Sequence, residues 1–287
     1  MSMYSFCDTI EKPGASFMPS EALCFDGVWL DKEVPGFRTL YTSGRESFAA
    51  DVTEIEAESI DGSAFLRRRI LPRTITVGYQ LTAPTPQAFM EAFNLINMLM
   101  SGVQKRIVFA DEPDRYYMGT CRSTGTPDPG KLAVKAEMEL FCPDPFKYLE
   151  SEAESSWEID PESVETEITK EVVYFGTYPA WPIIRFSHAG FELDEFTFYL
   201  NTAAIRVKAT TAYGSTGGEQ FQVDCRNGKI AGGPGYATEF YDMGNITNDY
   251  EKAYLKNGKN TLGISFDGNS SGTPLINLSL RYQPAWL

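Results

Sequence analysis

The sequence has little of what most enzymes and metal proteins use. It contains one histidine, His188, among 287 residues. Serine- and cysteine-based nucleophile systems would both have to use this residue, and a site with several histidine ligands is excluded. His188 lies in IIRFSHAGF, without a G-x-S-x-G or cysteine-protease motif, so we expect a structural role. The sequence therefore predicts no catalytic residue, no metal site and no enzyme activity.

Cysteine pairs, phosphate-binding loops and long apolar runs are also missing. The five cysteines are widely spaced and none forms C-x-x-C, which indicates reduced, mostly buried thiols rather than a disulfide framework. GGPG at 232–235 matches neither dinucleotide nor P-loop patterns, so we expect no cofactor. No apolar run approaches about 18 residues, and the N-terminus resembles no secretory signal. We expect a soluble protein made in a cytoplasm, without membrane insertion.

Basic charge is scarce. The net charge is −14, from 25 basic and 39 acidic residues, which disfavours general binding to DNA or anionic membranes. The stretch 150–171 holds nine acids and one lysine and is interpreted as a solvated linker or edge strand. Arg67, Arg68 and Arg69 form the one basic cluster, for which an interface or surface role is favoured over nucleic acid.

The first half of the chain predicts an α+β domain over residues 1–149. RTITVGYQL (73–81) alternates apolar and polar residues, as a half-buried strand does. A helix follows, with Thr85 as N-cap, Pro86 at the first position and Gly102 beyond its end. Its apolar stripe, Phe89, Phe93, Ile96 and Met100 with Ala92, Leu95 and Leu99, is broad enough to pack on a sheet. In KLAVKAEMELFC we expect Leu132, Val134, Ala136, Met138 and Leu140 to point inward.

The second half predicts a β-sandwich over residues 173–287, after an acidic linker or edge segment at 150–172. Its short strand-like runs are separated by glycine- and asparagine-rich turns, and Asn227-Gly228 is a strong hairpin signal. DGNSSG, beginning at Asp267, starts like a calcium loop. Leu278 stands where the bidentate Glu would be, which favours a hairpin turn over a weak cation site.

The stretch DEPDRYY (111–117) concentrates charged and aromatic residues between two predicted strands. Three carboxylates in four residues, split by a proline, suit a turn better than an acid–base pair, which needs separated carboxylates in a cleft. We predict a turn with local or intersubunit contacts and leave catalysis as a minor alternative. Asp111 would cap the turn, Arg115 would pair with a nearby carboxylate, and the candidate residues are Asp111, Glu112, Asp114, Arg115 and Tyr117.

The order of several motifs resembles the distal tail (Dit) proteins of siphophages, a phage tail-component family. In the first half these are FDG at Phe25, SGRE (43–46), RTITVGYQL, IVFADEPDRYYMG (107–119) and FCPDPFKY (141–148). In the second half they are YPAWPIIRF (178–186), QVDCRNGKI (222–230), GKNTLGISF (258–266) and RYQPAWL (281–287). The resemblance implies a mainly β fold, in which an N-terminal ring-forming domain precedes a galectin-like β-sandwich.

The resemblance also implies a structural role at the distal end of the virion tail. Six copies would form a ring, assembled in the host cytoplasm, that connects the tail tube to the tail tip or baseplate. Partners would be the tail-tube ring, the tail-associated hub or lysin protein, and receptor-binding or baseplate proteins. DNA would only pass through the lumen.

Two hypotheses and two rival functions accompany this expectation. Acidic groups on the lumen would repel passing DNA, and the arginine triplet would pair with acids of a neighbouring subunit. The first rival is a carbohydrate-binding receptor-recognition module, which exposed aromatic platforms around Trp181 or Tyr213 would favour. The second is a cell-wall-degrading enzyme, which the shortage of histidines already disfavours.

Overall fold

The computed structural model shows a mainly β chain with one long α-helix, as expected from the sequence. By contacts the chain divides into two compact units, residues 1–150 with Leu287 and residues 151–286. We call them the N-terminal and C-terminal units and describe each by itself. The structure describes residues 18–56, 61–128, 130–159, 167–189, 195–208, 219–234, 241–245, 249–267 and 275–287.

The N-terminal unit contains one large antiparallel sheet, a separate two-stranded hairpin and the long helix. The main sheet runs in the order β2-β1-β7-β8-β9-β6-β3, with β10 beside β8, and the hairpin is β4-β5. The elements are β1 (Leu23–Phe25), β2 (Val28–Trp29), α1 (Leu30–Glu33), β3 (Phe37–Ser43), β4 (Ala50–Glu56), β5 (Ser63–Ile70), β6 (Arg73–Thr82), α2 (Pro86–Met100), β7 (Lys105–Phe109), β8 (Glu112–Ser123), β9 (Ala133–Cys142) and β10 (Lys147–Leu149).

Helix α2 and strand β6 follow the sequence pattern closely. Thr85 accepts a hydrogen bond from the Ala88 amide at 3.2 Å, which confirms the predicted N-cap. The inward residues of β6 are fully buried and share one core with the buried face of α2. In β9 the alternation also holds, except that Leu132 is 37% exposed because the strand begins only at Ala133.

The C-terminal unit consists of two antiparallel sheets around a single core, as the predicted sandwich requires. The sheets run β11-β20-β13-β16-β17-β18 and β12-β19-β14-β15. The elements are β11 (Ala153–Ile159), β12 (Glu167–Tyr174), β13 (Ile183–Ala189), β14 (Glu195–Leu200), β15 (Ala203–Lys208), β16 (Glu219–Asp224), β17 (Lys229–Pro234), β18 (Tyr241–Asn245), a 3-10 helix (Tyr250–Lys252), β19 (Gly258–Asp267), β20 (Leu275–Tyr282) and β21 (Ala285–Trp286).

Two hairpins of this architecture turn at pairs that contain glycine. Asp26 and Gly27 have φ values of 52° and 83°, as a two-residue hairpin turn requires. Asn227-Gly228 is the second half of the turn at 225–228 that joins β16 to β17. Of the cysteines in the described ranges, Cys121 is half-buried and the others are buried, and all are free thiols. The loop after Asp267 lies outside the described residues.

The acidic segment is not unstructured where the structure describes it. Strand β11 forms one edge of the six-stranded sheet, and β12 forms one edge of the four-stranded sheet. Edge strands are a common place for charged side chains, since charge discourages pairing with other chains. Within the described ranges, no helix is both long and apolar enough to cross a membrane.

Candidate functional site

The most exposed element of the N-terminal unit is the hairpin of β4 and β5, which we call the arm. Every side chain from 61 to 69 is exposed, and β4 is little better covered. Val52, Ile55, Phe65 and Leu66 are 52%, 52%, 66% and 54% exposed. A two-stranded ribbon in water is marginally stable at best, and clustered exposed apolar side chains mark interaction surfaces. The arm therefore has the properties of an interface element.

The arginine triplet lies on strand β5 of the arm. Arg67 donates to the Thr53 hydroxyl at 3.2 Å, and the Arg68 guanidinium lies 4.9 Å from the centre of the Phe48 ring. Asp51 is directly opposite Arg69 in the ladder. Among the described residues, none of these three guanidinium groups forms a salt bridge. The arm thus presents three positive charges beside its apolar side chains.

The base of the arm is fixed by backbone contacts and one buried arginine. The Leu71 amide donates to the Ala49 carbonyl at 2.9 Å, where the chain enters and leaves the arm. Arg73, 5% exposed, donates to the carbonyls of Gly44, Arg45 and Ser47 at 2.8–2.9 Å, and to that of Pro145 at 2.9 Å. One side chain therefore holds the whole loop that leads into β4.

A second contact ties the same loop to the turn between β7 and β8. Arg45 and Asp111 form a two-pronged ion pair, with nitrogen–oxygen distances of 2.9 and 2.6 Å. Their side chains are only 10% and 19% exposed, and the Arg45 guanidinium lies 4.3 Å from the centre of the Phe109 ring. Planar two-pronged pairing fixes orientation as well as distance. We call Arg45, Arg73 and Asp111 the clamp.

DEPDRYY does contain the predicted turn between two adjacent strands, but the strand boundaries make this turn shorter than expected. Strand β7 ends at Phe109, the turn covers only Ala110 and Asp111, and β8 already begins at Glu112. Pro113 is tolerated because it is the second residue of the strand, next to a register shift in the β7–β8 pairing. The turn is therefore shorter than the Asp111–Tyr117 span expected from the sequence.

The other charged residues of the stretch lie on the exposed start of β8. Glu112 accepts from Lys147 at 2.8 Å and from Arg115 at 3.1 Å, so Arg115 does have a local carboxylate partner. Asp114 is 63% exposed, and its nearest approach to Arg115 is 3.9 Å. These contacts are local, and their energetic value is small where the groups are open to water.

Burial and charge set the protonation behaviour of the clamp region. Burial works to lower the pKa of Arg45, but hydrogen bonds and charge attraction from Asp111 outweigh it and raise the pKa above its ordinary value. Burial raises the pKa of Tyr117 to about 12, although Arg73 opposes the shift. The Tyr117 hydroxyl is buried and has no hydrogen-bond partner among the described residues. The clamp is thus a charged cluster largely shielded from water.

Three other residues considered from the sequence, Trp181, Tyr213 and His188, belong to the C-terminal unit. Trp181 is half-buried against the C-terminal core, and its indole N–H donates to the Glu251 carbonyl at 3.1 Å, so it is not an open aromatic platform. Tyr213 lies outside the described residues. His188 belongs to β13 by its backbone. In the part of the chain that the structure describes, no cluster of His, Cys, Asp or Glu could hold a metal ion.

Sequence reasoning did not identify Arg45 or Arg73 as clamp residues. Their partners are 26 to 72 positions away, which no local periodicity can indicate. The available signal was the turn SGRE: Gly44 has a φ of 86°, and a Cβ there would lie 2.3 Å from the Thr74 carbonyl oxygen. A glycine fixed against a strand places the next residue, Arg45, at a defined position.

The fold of the whole chain is similar to that of a solved phage protein. The SPP1 Dit (gp 19.1) protein, described as a paradigm of the hub adsorption apparatus in phages that infect Gram-positive hosts, matches 93% of this chain over 99% of its own. The TM-score is 0.65 and the sequence identity 18%. The fold expected from the resemblance to the Dit proteins is thereby confirmed.

Two further solved structures are less similar to this chain than SPP1 Dit is. Two structures of the phage P2 baseplate in its activated conformation, with Ca and with Sr, are each 10% identical and cover 85% of this chain and 90% of theirs. Their TM-scores, 0.35 and 0.36, are too low to carry conclusions about fold. A scan against protein-family models and a search among curated proteins both give no match.

Proposed function

We propose that this chain is a structural virion protein, the distal tail hub, whose copies form a hexameric ring. The ring would connect the tail tube to the tail tip or baseplate, anchor adhesion components and leave a channel for DNA. The fold shared with SPP1 Dit, a hub protein, supports this assignment. The observation that carries it is the exposed arm held at its base by the clamp, because a second chain could bury the apolar side chains of such an arm.

The partner of the arm in this proposal is a second copy of the same chain. A ring closes when one surface binds a different surface of the next copy, so the arm needs no matching arm opposite it. Strand β5 carries three arginines, whereas the chain as a whole has a net charge of −14. Acidic groups of the neighbouring subunit would therefore attract the triplet, in addition to covering Phe65 and Leu66.

In this proposal the two units would have different functions. The N-terminal domain (1–149) would form the ring against the tail-tube ring and the tail-associated hub or lysin protein. The acidic segment (150–172) would be a linker or edge segment, and the sandwich (173–287) would face outward to receptor-binding or baseplate proteins. The complete particle would carry this hub at the distal end of its tail, after assembly in the host cytoplasm and without membrane insertion.

The net negative charge of the chain suggests how DNA would pass through the proposed channel. Acidic groups on the lumen would repel the phosphate backbone, so that DNA passes without binding, as the net charge of −14 suggests. A reconstruction of the assembled ring by electron cryomicroscopy tests this directly. We expect a negative lumen, and a basic one would overturn the idea.

The ring itself is tested with the purified full chain. Light scattering and negative-stain images should give the mass of six copies and six-fold rings. Changing Phe65 and Leu66 together to Glu should abolish the rings, because charged groups cannot occupy the apolar interface. The control is Phe175→Glu, since Phe175 is 76% exposed and lies in the C-terminal unit. A chain that stays monomeric at every concentration, or arm variants that still form rings, would contradict the proposal.

A further inference from the structure

The outer face of helix α2 is exposed and nearly uncharged. In the stretch 83–104, which contains the helix and its flanks, Glu91 is the one charged residue, although 22% of the whole chain is charged. A helix at the surface of a soluble protein ordinarily places charged side chains on the face away from its core. The scarcity of charge therefore indicates that a second surface covers this face. The functions assigned above do not use it.

Two methionines lie on this face. Met90 and Met98 are 58% and 63% exposed, and the exposed Asn94 lies between them in the same i, i+4 row, which we call the methionine row. The rise of the helix places the two methionines about 12 Å apart along its axis. Methionine adapts its shape to a partner and makes favourable contacts between its sulfur and aromatic rings. The row therefore suits an apolar partner that carries an aromatic side chain.

The arm is such a partner, but not within the same copy. Phe65 and Leu66 are exposed, and so is the methionine row, so the two surfaces do not cover each other in one chain. Outside the arm and its base (44–71), the described part of the N-terminal unit has five exposed large hydrophobic residues, Tyr41, Met90, Met98, Val103 and Leu132. Three of them lie on α2 or just beyond its end. The unit thus carries two separate apolar surfaces, as a head-to-tail contact between copies requires.

Charge favours the same pairing. Arg67, Arg68 and Arg69 give the arm three positive charges. The exposed Glu91 on α2 forms no salt bridge among the described residues. The last turn of α2 contains no basic residue, and the carbonyl end of a helix carries a partial negative charge that cations stabilise. The surface around the methionine row is therefore complementary in charge to the arm.

We propose that the arm of one copy docks on the methionine row of the next copy. Phe65 and Leu66 would cover Met90 and Met98, and the arginine triplet would lie towards Glu91 and the C-terminal end of α2. The seven residues of β4 extend the arm about 23 Å from its base, which gives it the reach for such a contact. This inference rests on the proposed ring and adds the receiving surface that its contacts need.

Photo-crosslinking of the purified full chain tests the contact. p-Benzoylphenylalanine is incorporated at Phe65, and chains of natural isotope composition are mixed with heavy-nitrogen-labelled chains before assembly. We expect mass spectrometry to find position 65 of one isotope joined to Met90 or Met98 of the other. The control carries the same crosslinker at Phe175, which is exposed in the C-terminal unit, and should give no crosslink to α2.

Substitution of the methionine row gives a second measurement. When Met90→Glu and Met98→Glu are combined, the concentration at which half of the chain is assembled should rise at least about tenfold, because charge replaces an apolar contact. Both positions are exposed and glutamate is a good helix former, so this variant should fold. Met90→Leu combined with Met98→Leu keeps the apolar surface and should assemble within about twofold of the parent chain.

Two outcomes would overturn the inference alone: rings in which position 65 crosslinks elsewhere, or glutamate variants that assemble as the parent chain does. Either result leaves the hub function standing, because the rings still form. A parent chain that forms no rings at any concentration would contradict the hub function and this inference together. Light scattering on the same samples distinguishes these cases.

Discussion

At the scale of single residues, the clamp depends on charges that are closed off from water. Removing one partner of such a pair leaves the other charge buried without compensation, which costs far more than losing an exposed pair. The Arg45 side chain is only 10% exposed, so without Asp111 its charge would have little access to water. The clamp should therefore be more sensitive to substitution than the charge-rich β8 residues that follow it.

Asp111→Ala tests this directly. We expect the free energy of unfolding of the N-terminal unit to fall by about 3 kcal/mol, because the Arg45 guanidinium loses both of its hydrogen bonds to carboxylate oxygens. Asp114→Ala is the matched control and should change it by less than about 0.5 kcal/mol, since Asp114 is 63% exposed. Urea unfolding of both variants gives the comparison, and equal losses would contradict the role of the clamp.

Tyr117 offers a pH-dependent test at the same scale. Burial raises its pKa to about 12, so the folded state holds the proton more tightly than the unfolded chain, where the pKa is about 10. The stability from this group is complete below about pH 10 and is lost as pH rises towards about 12, by about 2 kcal/mol. Tyr117→Phe should remove that part of the alkaline loss.

Near neutral pH the same substitution should stabilise the protein by about 1 kcal/mol, because it removes a buried hydroxyl that has no hydrogen-bond partner among the described residues. Tyr79→Phe is the matched control, since the Tyr79 hydroxyl donates to the Thr124 carbonyl at 2.8 Å and its removal should destabilise by about 1 kcal/mol. Urea unfolding followed by tryptophan fluorescence at successive pH values measures both effects. If Tyr117→Phe and the parent chain lose stability in parallel from neutral to alkaline pH, Tyr117 does not contribute to the alkaline loss of stability.

At the scale of elements, the arm carries three arginines next to exposed apolar side chains. Changing Arg67, Arg68 and Arg69 together to Glu should abolish or strongly weaken ring formation, because acids of the neighbouring subunit would be repelled instead of attracted. The monomer should keep its stability, since all three side chains are exposed and make no salt bridge among the described residues. Light scattering against ionic strength measures the effect, and rings that form as in the parent chain would count against the hypothesis.

Local sequence patterns predict some of these elements and not others. The α2 helix follows from its cap, its proline and its apolar stripe, all within about 17 positions, and β6 follows from strict alternation. The arm has no such pattern, because both of its faces are exposed and alternation marks only strands with one buried face. The pairing of Arg45 with Asp111 joins positions 66 apart and requires the folded sheet. The candidate interface was therefore recognisable only as an isolated arginine triplet.

At the scale of the whole molecule, the chain contains two separate hydrophobic cores. One joins α2 to the main sheet of the N-terminal unit, and the other lies between the two sheets of the C-terminal unit. A domain has its own hydrophobic core, so two separate cores are the pattern that two domains would give. If the boundary lies near residue 150, a substitution in one core should leave the other unit folded.

Matched core substitutions test that boundary. Ile264→Ala and Ile75→Ala each remove a fully buried side chain, one from each core, and should each cost about 2–5 kcal/mol. If residues 1–149 and 173–287 are independent domains, hydrogen exchange followed by mass spectrometry should speed up only in the unit that carries the substitution. Ile264→Ala would then leave the amides of β6 and α2 protected as in the parent chain. Faster exchange in both units from either substitution would mean that the two units unfold together, which would contradict the predicted domain boundary.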